Sequence, residues 1–133
     1  MKAITARVTR ALNLGAIVTV ADNSGGKIAR LVGVVHGKTP KNRQQFAKVA
    51  DHVKVSIRKG IPEMKKHVFD AIVVRQRREF RRLSGERICF EDNAVVITKD
   101  DKGEPKGTQI KGPIAREVSD RWPFIAKIAG VIA

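Results

Sequence analysis

Five arginines stand within eight residues near the middle of the chain, and their type and spacing point most directly to a chemistry. The arginine guanidinium is planar, stays charged at working pH and binds phosphate through two parallel hydrogen bonds. Only one acidic residue, Glu79, lies among them. Five arginines with a single acid give more positive charge than a hairpin needs to prevent edge pairing. We therefore predict that this segment binds nucleic-acid phosphates through Arg75, Arg77, Arg78, Arg81 and Arg82.

A second group of cations surrounds the loop that follows residue 37. No acidic residue occurs between residues 38 and 48, and more cations follow near residue 58. We predict further phosphate contacts from Lys38, Lys41, Arg43, Arg58 and Lys59. Because exposed charges add little to folding stability, replacing the five clustered arginines is expected to weaken binding and leave the thermal midpoint almost unchanged.

The overall composition supports a polyanionic partner. Lys and Arg total 27 and Asp and Glu total 13, which gives a net charge of +14. A surplus of this size is self-repulsive until a polyanion neutralises it. The chain has five Phe, one Trp and no Tyr, so few rings remain for stacking on single-stranded bases once the core is filled. The composition therefore favours recognition of phosphates and folded shape over base-by-base reading.

The spacing of reactive residues gives less support to an enzymatic function. His36, His52 and His67 match no metal-ligand pattern, although histidine acid–base chemistry would suit a basic ribonuclease, which stays open as an alternative. Gly37 precedes Lys38 and Thr39 but lacks the earlier glycine of a phosphate-binding loop. The single cysteine has no base nearby in sequence. We predict a protein that is not an enzyme and has no cofactor or metal; a free translation or repression factor is a further alternative.

The elements that must position these cations are mostly strands. Period-two alternation and β-branched runs predict strands over residues 15–21, 27–36, 52–58, 68–74 and 94–98. Residues 73–92 are predicted to form a two-stranded ribbon that projects from the body, with its tip near residues 83–85. The sequence thus indicates a mainly β protein, either a barrel or a sandwich.

The last thirty residues change from strand to helical spacing. Pro113 suits the first turn of one short helix, and Pro123 could start a second, whose apolar face would combine Ile125 and Ile128 with Val131 and Ile132. With no linker or repeat, residues 1–133 are predicted to form a single domain. The charged first residues, the short charge-free stretches and the lone cysteine indicate a reducing cytosol and no membrane span.

Several ordered motifs together resemble one protein family. They comprise residues 20–25, 59–62, 107–108 and 112–117, and the most specific is the block from residue 71 to residue 97. Over nearly its whole length the chain resembles the universal large-subunit ribosomal proteins numbered fourteen. The long loop of residues 37–50 and the ending from Arg121 resemble the archaeal and eukaryotic branches, the archaeal more closely.

This resemblance implies a fold, a location and a set of partners. The implied fold is a five-stranded β-barrel with a projecting ribbon and short C-terminal helices. The implied role is a structural one in the cytoplasmic ribosome, where the protein would bind large-subunit rRNA on the face that meets the small subunit and join a bridge to small-subunit rRNA. The implied protein partners are the third large-subunit protein, a small zinc-containing protein and the anti-association factor numbered six.

Overall fold

Five strands close into a barrel in the computed structural model, which describes residues 3–4, 7–37 and 39–133. In chain order the elements are β1 (Leu12–Asn13), β2 (Ile17–Val20), β3 (Gly26–Val34), β4 (Phe46–Ala47), β5 (His52–Gly60), β6 (Val68–Arg75), β7 (Phe80–Arg81), β8 (Arg87–Ile88), β9 (Ala94–Thr98), β10 (Pro113–Ile114), α1 (Arg116–Arg121), α2 (Pro123–Ile128) and β11 (Val131–Ile132). The barrel order is β2, β3, β5, β6 and β9. The five predicted strands are confirmed, with ends that differ by no more than two residues.

Alternation along the strands fills the barrel. In β5 the side chains of Val53, Val55 and Ile57 are fully buried, while Lys54 and Arg58 face solvent. This is the arrangement that period two dictates for a sheet with one buried face. The barrel closes where β2 pairs in parallel with β9, whereas the other neighbouring strands pair antiparallel.

One close approach between two barrel strands depends on a glycine. Gly60 pairs with Gly26 where β5 meets β3, and its backbone φ is 159°. A Cβ at Gly60 would lie 2.7 Å from the carbonyl oxygen of Gly25. Because the opposing atom is backbone, no side-chain rearrangement could make room, and any larger residue would separate the two strands.

Strands β6 and β9 are covered on both faces. Residues 71–74 and 94–98 are all buried, which explains their nearly unbroken apolar sequence. Their inner side chains belong to the barrel core, and their outer side chains, such as Ile72 and Val96, pack in a second cluster with Val118, Trp122 and Ile125. The C-terminal helices therefore form a cap over one side of the barrel.

The C-terminal segment differs from its prediction in two places. Pro113 lies in β10, not in a helix, and Val131 and Ile132 form β11 parallel to β10 instead of extending the apolar face of α2. The helix ends before these two residues because the backbone becomes extended at Ala129, with φ −73° and ψ 132°. Each helix has six residues, and within the described ranges none is long and apolar enough to cross a membrane.

A short hairpin occupies the centre of the predicted ribbon. Strands β7 and β8 pair over two residues each, and the N–H of Arg82 closes the turn on the carbonyl of Glu86. Phe80 is buried in the cluster beneath the C-terminal helices, so the base of the hairpin is packed against the body. Leu83 at the tip is 80% exposed.

Candidate nucleic-acid interface

Three of the five clustered arginines point into solvent from the hairpin. Arg77, Arg78 and Arg81 are exposed. The backbone N–H of Arg77 donates to Asn93 Oδ1 at 2.8 Å, which fixes the start of the hairpin against the loop before β9. Their guanidinium groups form no ion pair with any residue in the described ranges. These three side chains are available to bind an anion.

Arg81 and Arg87 stand directly opposite each other on the two hairpin strands. Like charges in that position destabilise an antiparallel pair. Glu79 lies 3.0 Å from Arg87 Nη1 and offsets one of the two charges. The other charge, on Arg81, is not offset within the described protein, which favours an external anion at this edge of the hairpin.

The N-terminal segment adds cations that the sequence reasoning did not single out. The side-chain amide of Gln76, itself fully buried, donates to the carbonyl of Thr9 at 2.9 Å and holds this segment along the hairpin. Arg7 thereby joins Arg81, Arg82 and Leu83 around a surface pocket of about 550 Å³. Local spacing offered no signal for this grouping, because Arg7 is separated from the hairpin by most of the barrel sequence.

Arg75 is not on the surface of the hairpin. Its Nε and Nη2 donate to the two carboxylate oxygens of Asp92 at 2.8 and 3.2 Å, and its Nη1 donates to the carbonyls of Lys111 and Pro113. The side chain is 9% exposed. These bonds join the end of β6 to the loop before β9, to the loop before β10 and to β10 itself, so Arg75 has a structural role in the folded chain.

Arg82 is likewise engaged inside the protein. Its guanidinium pairs with the carboxylate of Glu117 on α1 and also donates to the main-chain oxygen of Ala133 at 2.8 Å. The premise that all five arginines are exposed is therefore wrong for Arg75 and Arg82, both of which hold buried or half-buried acceptors. The hairpin contributes three outward-facing arginines, and two inward-facing ones fix its position.

The other predicted phosphate-binding residues lie in two further places. Lys41 and Arg43 are exposed in the loop after β3, and the Arg43 N–H donates to Thr39 Oγ1 at 2.7 Å. Lys38 falls outside the described residues. Arg58 and Lys59 are exposed at the end of β5, where Arg58 lines a surface pocket of about 470 Å³. Two lysines that line the same pocket, Lys65 and Lys66, were not among the predicted residues, although they are adjacent in the sequence.

A half-buried carboxylate, Asp51, lies near the second group of cations. One of its oxygens accepts the N–H of Lys48 at 3.1 Å, and the other is 3.4 Å from Arg121 Nη1. Burial raises the pKa of the Asp51 carboxyl above its ordinary value. The backbone hydrogen bond and the charges of Lys48, Arg121 and Arg10 act in the opposite direction without cancelling the effect of burial.

The three histidines lie in different surroundings. His52 is buried, 3.0 Å from Asp70 and edge-on to the Trp122 ring, so its position is explained by packing. His36 and His67 are exposed and line separate pockets. The ribonuclease alternative requires acid and base groups that face one substrate, and this placement does not supply a histidine pair.

Comparison with known proteins connects the chain to one family. The model of the ribosomal protein L14p/L23e family matches residues 11–133. The chain is 54% identical to the large ribosomal subunit protein uL14 of Nanoarchaeum equitans, over 99% of both chains. It is 48% identical to uL14 of Methanothrix thermoacetophila over 99% of both chains, and 52% identical to uL14 of Saccharolobus solfataricus over 94% of this chain and 90% of the relative.

Proposed function

The chain belongs to the ribosomal protein L14p/L23e family, and on that premise we propose that it binds large-subunit rRNA through the hairpin surface formed by Arg7, Arg77, Arg78 and Arg81. Membership of the family makes it a structural constituent of the large ribosomal subunit, of the archaeal type, in the cytoplasm. A structural role of this kind involves no catalytic step, and we assign none to its histidines.

The observation that carries the RNA proposal is the division of the hairpin arginines into inner and outer sets. Arg75 and Arg82 are fixed by carboxylates and carbonyls, while the three outer guanidinium groups have no acidic partner within the described ranges. A charged surface that is held in place before binding loses less freedom when it meets its ligand. RNA phosphates supply the anions that this surface lacks.

We also propose that the protein lies at the subunit interface and contributes to a bridge with small-subunit rRNA. The proposal is supported by the distribution of exposed cations over separate places on the barrel. One group is on the hairpin, another is in the loop with Lys41 and Arg43, and a third lies around Arg58 and Lys65. Separate basic groups on one rigid barrel can contact two RNA molecules at once.

Protein neighbours are proposed for the C-terminal segment. Phe124, Val131 and Ile132 are exposed apolar side chains, and they lie within or next to short elements that cap the barrel. Such residues favour contact with other proteins over contact with phosphates. The partners proposed for this surface are the third large-subunit protein, a small zinc-containing ribosomal protein and the anti-association factor numbered six.

Centrifugation of dissociated ribosomal subunits tests the RNA proposal. A tagged copy of the chain, expressed in archaeal cells, should migrate with the large subunit and remain there through moderate salt washes. The triple variant R77A/R78A/R81A should be released at lower salt, while a variant with the same charge change elsewhere, K99A/K102A/K106A, should behave as wild type. Release of the wild-type chain by a mild wash would instead indicate a free factor.

A further inference from the structure

A cavity of about 360 Å³ lies beside the loop that follows β3. Its walls come from four parts of the chain: the N-terminal segment with Arg10, the end of β3 and the loop, the segment around β4, and α1 through Arg121. We call it the loop cavity. Its volume lies within the range of roughly 300–1,000 Å³ that is usual for small-ligand sites.

The charge of the loop cavity favours an anion. Arg10, Lys48 and Arg121 line it together with one carboxylate, Asp51. Asp51 is already engaged by Arg121 and by the backbone N–H of Lys48. The side chains of Arg10 and Lys48 have no ion pair with a residue of the described ranges, so two cationic groups remain for a ligand.

Besides its cations, the loop cavity has an exposed aromatic side chain, Phe46, against which a flat ring could pack. Its side chain lines the cavity and is 43% exposed. Among the phenylalanines only Phe46 and Phe124 are exposed to this degree, and both lie outside the cores. Aromatic rings at such positions are the platforms on which unstacked bases lie.

Two amides complete the wall next to Phe46. Gln45 Oε1 accepts the N–H of Val34 at 3.0 Å, and this bond fixes which end of the amide is an acceptor. The Gln45 amide nitrogen is therefore a donor, and the neighbouring Gln44 side chain also lines the cavity. Amide groups of this kind form hydrogen bonds with the edges of bases that have left the stack.

The backbone around the cavity is held in place. Ala50 and His36 have φ angles of 71° and 61°, in the left-handed region that residues other than glycine rarely adopt. The carbonyl of Ala50 accepts bonds from Trp122 Nε1 at 2.9 Å and Arg121 Nη1 at 3.2 Å. These bonds and the complete burial of Ala50 hold the backbone next to Asp51, which lines the cavity, in one conformation before any ligand arrives.

From these observations we propose that the loop cavity binds one nucleotide extruded from RNA, with the base against Phe46 and the phosphate at Arg10 and Lys48. The inference rests on the proposed RNA function and adds a site that recognises a base. It also revises the compositional expectation, since one of the few exposed rings stands where stacking is useful. An acidic peptide would use the cations but would have no need of Phe46.

Titration with mononucleotides tests the site on the purified full chain. AMP, UMP, CMP, GMP and inorganic phosphate are added separately while backbone NMR signals are followed. We expect at least one nucleotide to shift the signals of residues lining the loop cavity and to bind about tenfold or more tightly than inorganic phosphate, the gain that base stacking typically provides. Equal affinity for nucleotide and phosphate, or shifts confined to the hairpin, would overturn the proposal.

Substitution separates stacking from charge. Phe46→Ala should reduce nucleotide affinity about tenfold, to the level of phosphate, and leave phosphate binding unchanged. Phe124→Ala, which removes an equally exposed ring, should leave both unchanged, and Phe46→Tyr should retain nucleotide binding and so exclude misfolding as the cause. Lys48→Gln should weaken both ligands. A glutamate-rich peptide that bound more tightly than every nucleotide would assign the cavity to a protein partner and reject the proposal.

The outcome is distinguishable from failure of the proposed function. If the wild-type chain binds rRNA but no nucleotide binds in the loop cavity, only the loop-cavity proposal is rejected. Failure of the wild-type chain to associate with the large subunit would reject the function on which the cavity depends.

Discussion

Arg82 in the hairpin and Glu117 in α1 form a salt bridge with two parallel hydrogen bonds, 2.8 Å from Nε to Oε1 and 3.2 Å from Nη2 to Oε2. The two side chains are 9% and 6% exposed. The pair connects the hairpin to the helical cap, and Phe80 packs into the same cluster. The direction in which Arg77, Arg78 and Arg81 face solvent is therefore set by an arginine that itself contacts protein.

Arg82→Ala should destabilise the fold by about 3–5 kcal/mol, because it leaves the Glu117 carboxylate buried without its partner. Arg81→Ala, one residue away and exposed, should change the unfolding free energy by less than about 0.5 kcal/mol. Urea unfolding measures both. If the two variants proved equally stable, the salt bridge would not be what holds the hairpin. The double variant R82M/E117L should recover much of the loss, since an apolar pair leaves no unpaired charge.

Affinity for large-subunit rRNA should fall steeply as salt rises. With about six phosphates contacted, the slope of log affinity against log salt is expected to be about −4 to −5. In R77A/R78A/R81A the slope should become shallower by about 2–3, and the thermal midpoint should stay near that of wild type. The charge-matched K99A/K102A/K106A variant should keep the original slope. A slope near zero for wild type in filter-binding titrations would contradict phosphate recognition.

Asp51→Asn should change how stability depends on pH. Because burial raises the pKa of Asp51 in the folded chain above its ordinary value of 3.8, the protonated carboxyl favours folding. That contribution is complete below pH 3.8 and is lost as the pH rises through the raised value. The stability of the asparagine variant relative to wild type should therefore increase between pH 3 and pH 7. Denaturant unfolding across this range measures the difference; a constant or falling difference would contradict it.

Lys66→Gly should stabilise the protein by about 0.5–1 kcal/mol. Lys66 is exposed, and its φ of 68° lies in the left-handed region, where glycine has no steric penalty. Lys65→Gly in the same turn should be neutral or destabilising, because it only adds freedom to the unfolded chain. Thermal unfolding compares the two. A lower midpoint for Lys66→Gly than for Lys65→Gly would show that this backbone conformation is not strained.

Much of the barrel was predictable because alternation is a local signal. The pattern of β5, with Val53, Val55 and Ile57 inside, identifies a half-buried strand from its own residues alone. The number of strands in the closed barrel came only from the family resemblance, since closure depends on which strand ends meet. The sequence pattern was misleading at Val131 and Ile132, where apolar spacing continues but the backbone has already turned into β11.

The candidate site was less predictable than the fold. Arg75 and Arg77 have the same residue type and neighbourhood, yet one is paired with Asp92 and the other is exposed. The partners of the inner arginines lie at different distances along the chain, Asp92 just after the hairpin and Glu117 in α1, and nothing local indicates which arginine will reach them. The loop cavity was invisible for the same reason, because Arg10 and Arg121 come from opposite ends of the chain.

The parallel pairing of β2 with β9 determines the point during translation at which the barrel can fold. Thr19 pairs with Ala94, so the barrel cannot close until Ala94 has been synthesised. Contacts between residues so far apart in sequence form slowly. In a nascent chain that ends before β9, the cations that precede β9 are therefore present before the barrel can close. The closed barrel and the basic surface it supports can therefore form only after translation has passed β9, which ends at Thr98 of the 133 residues.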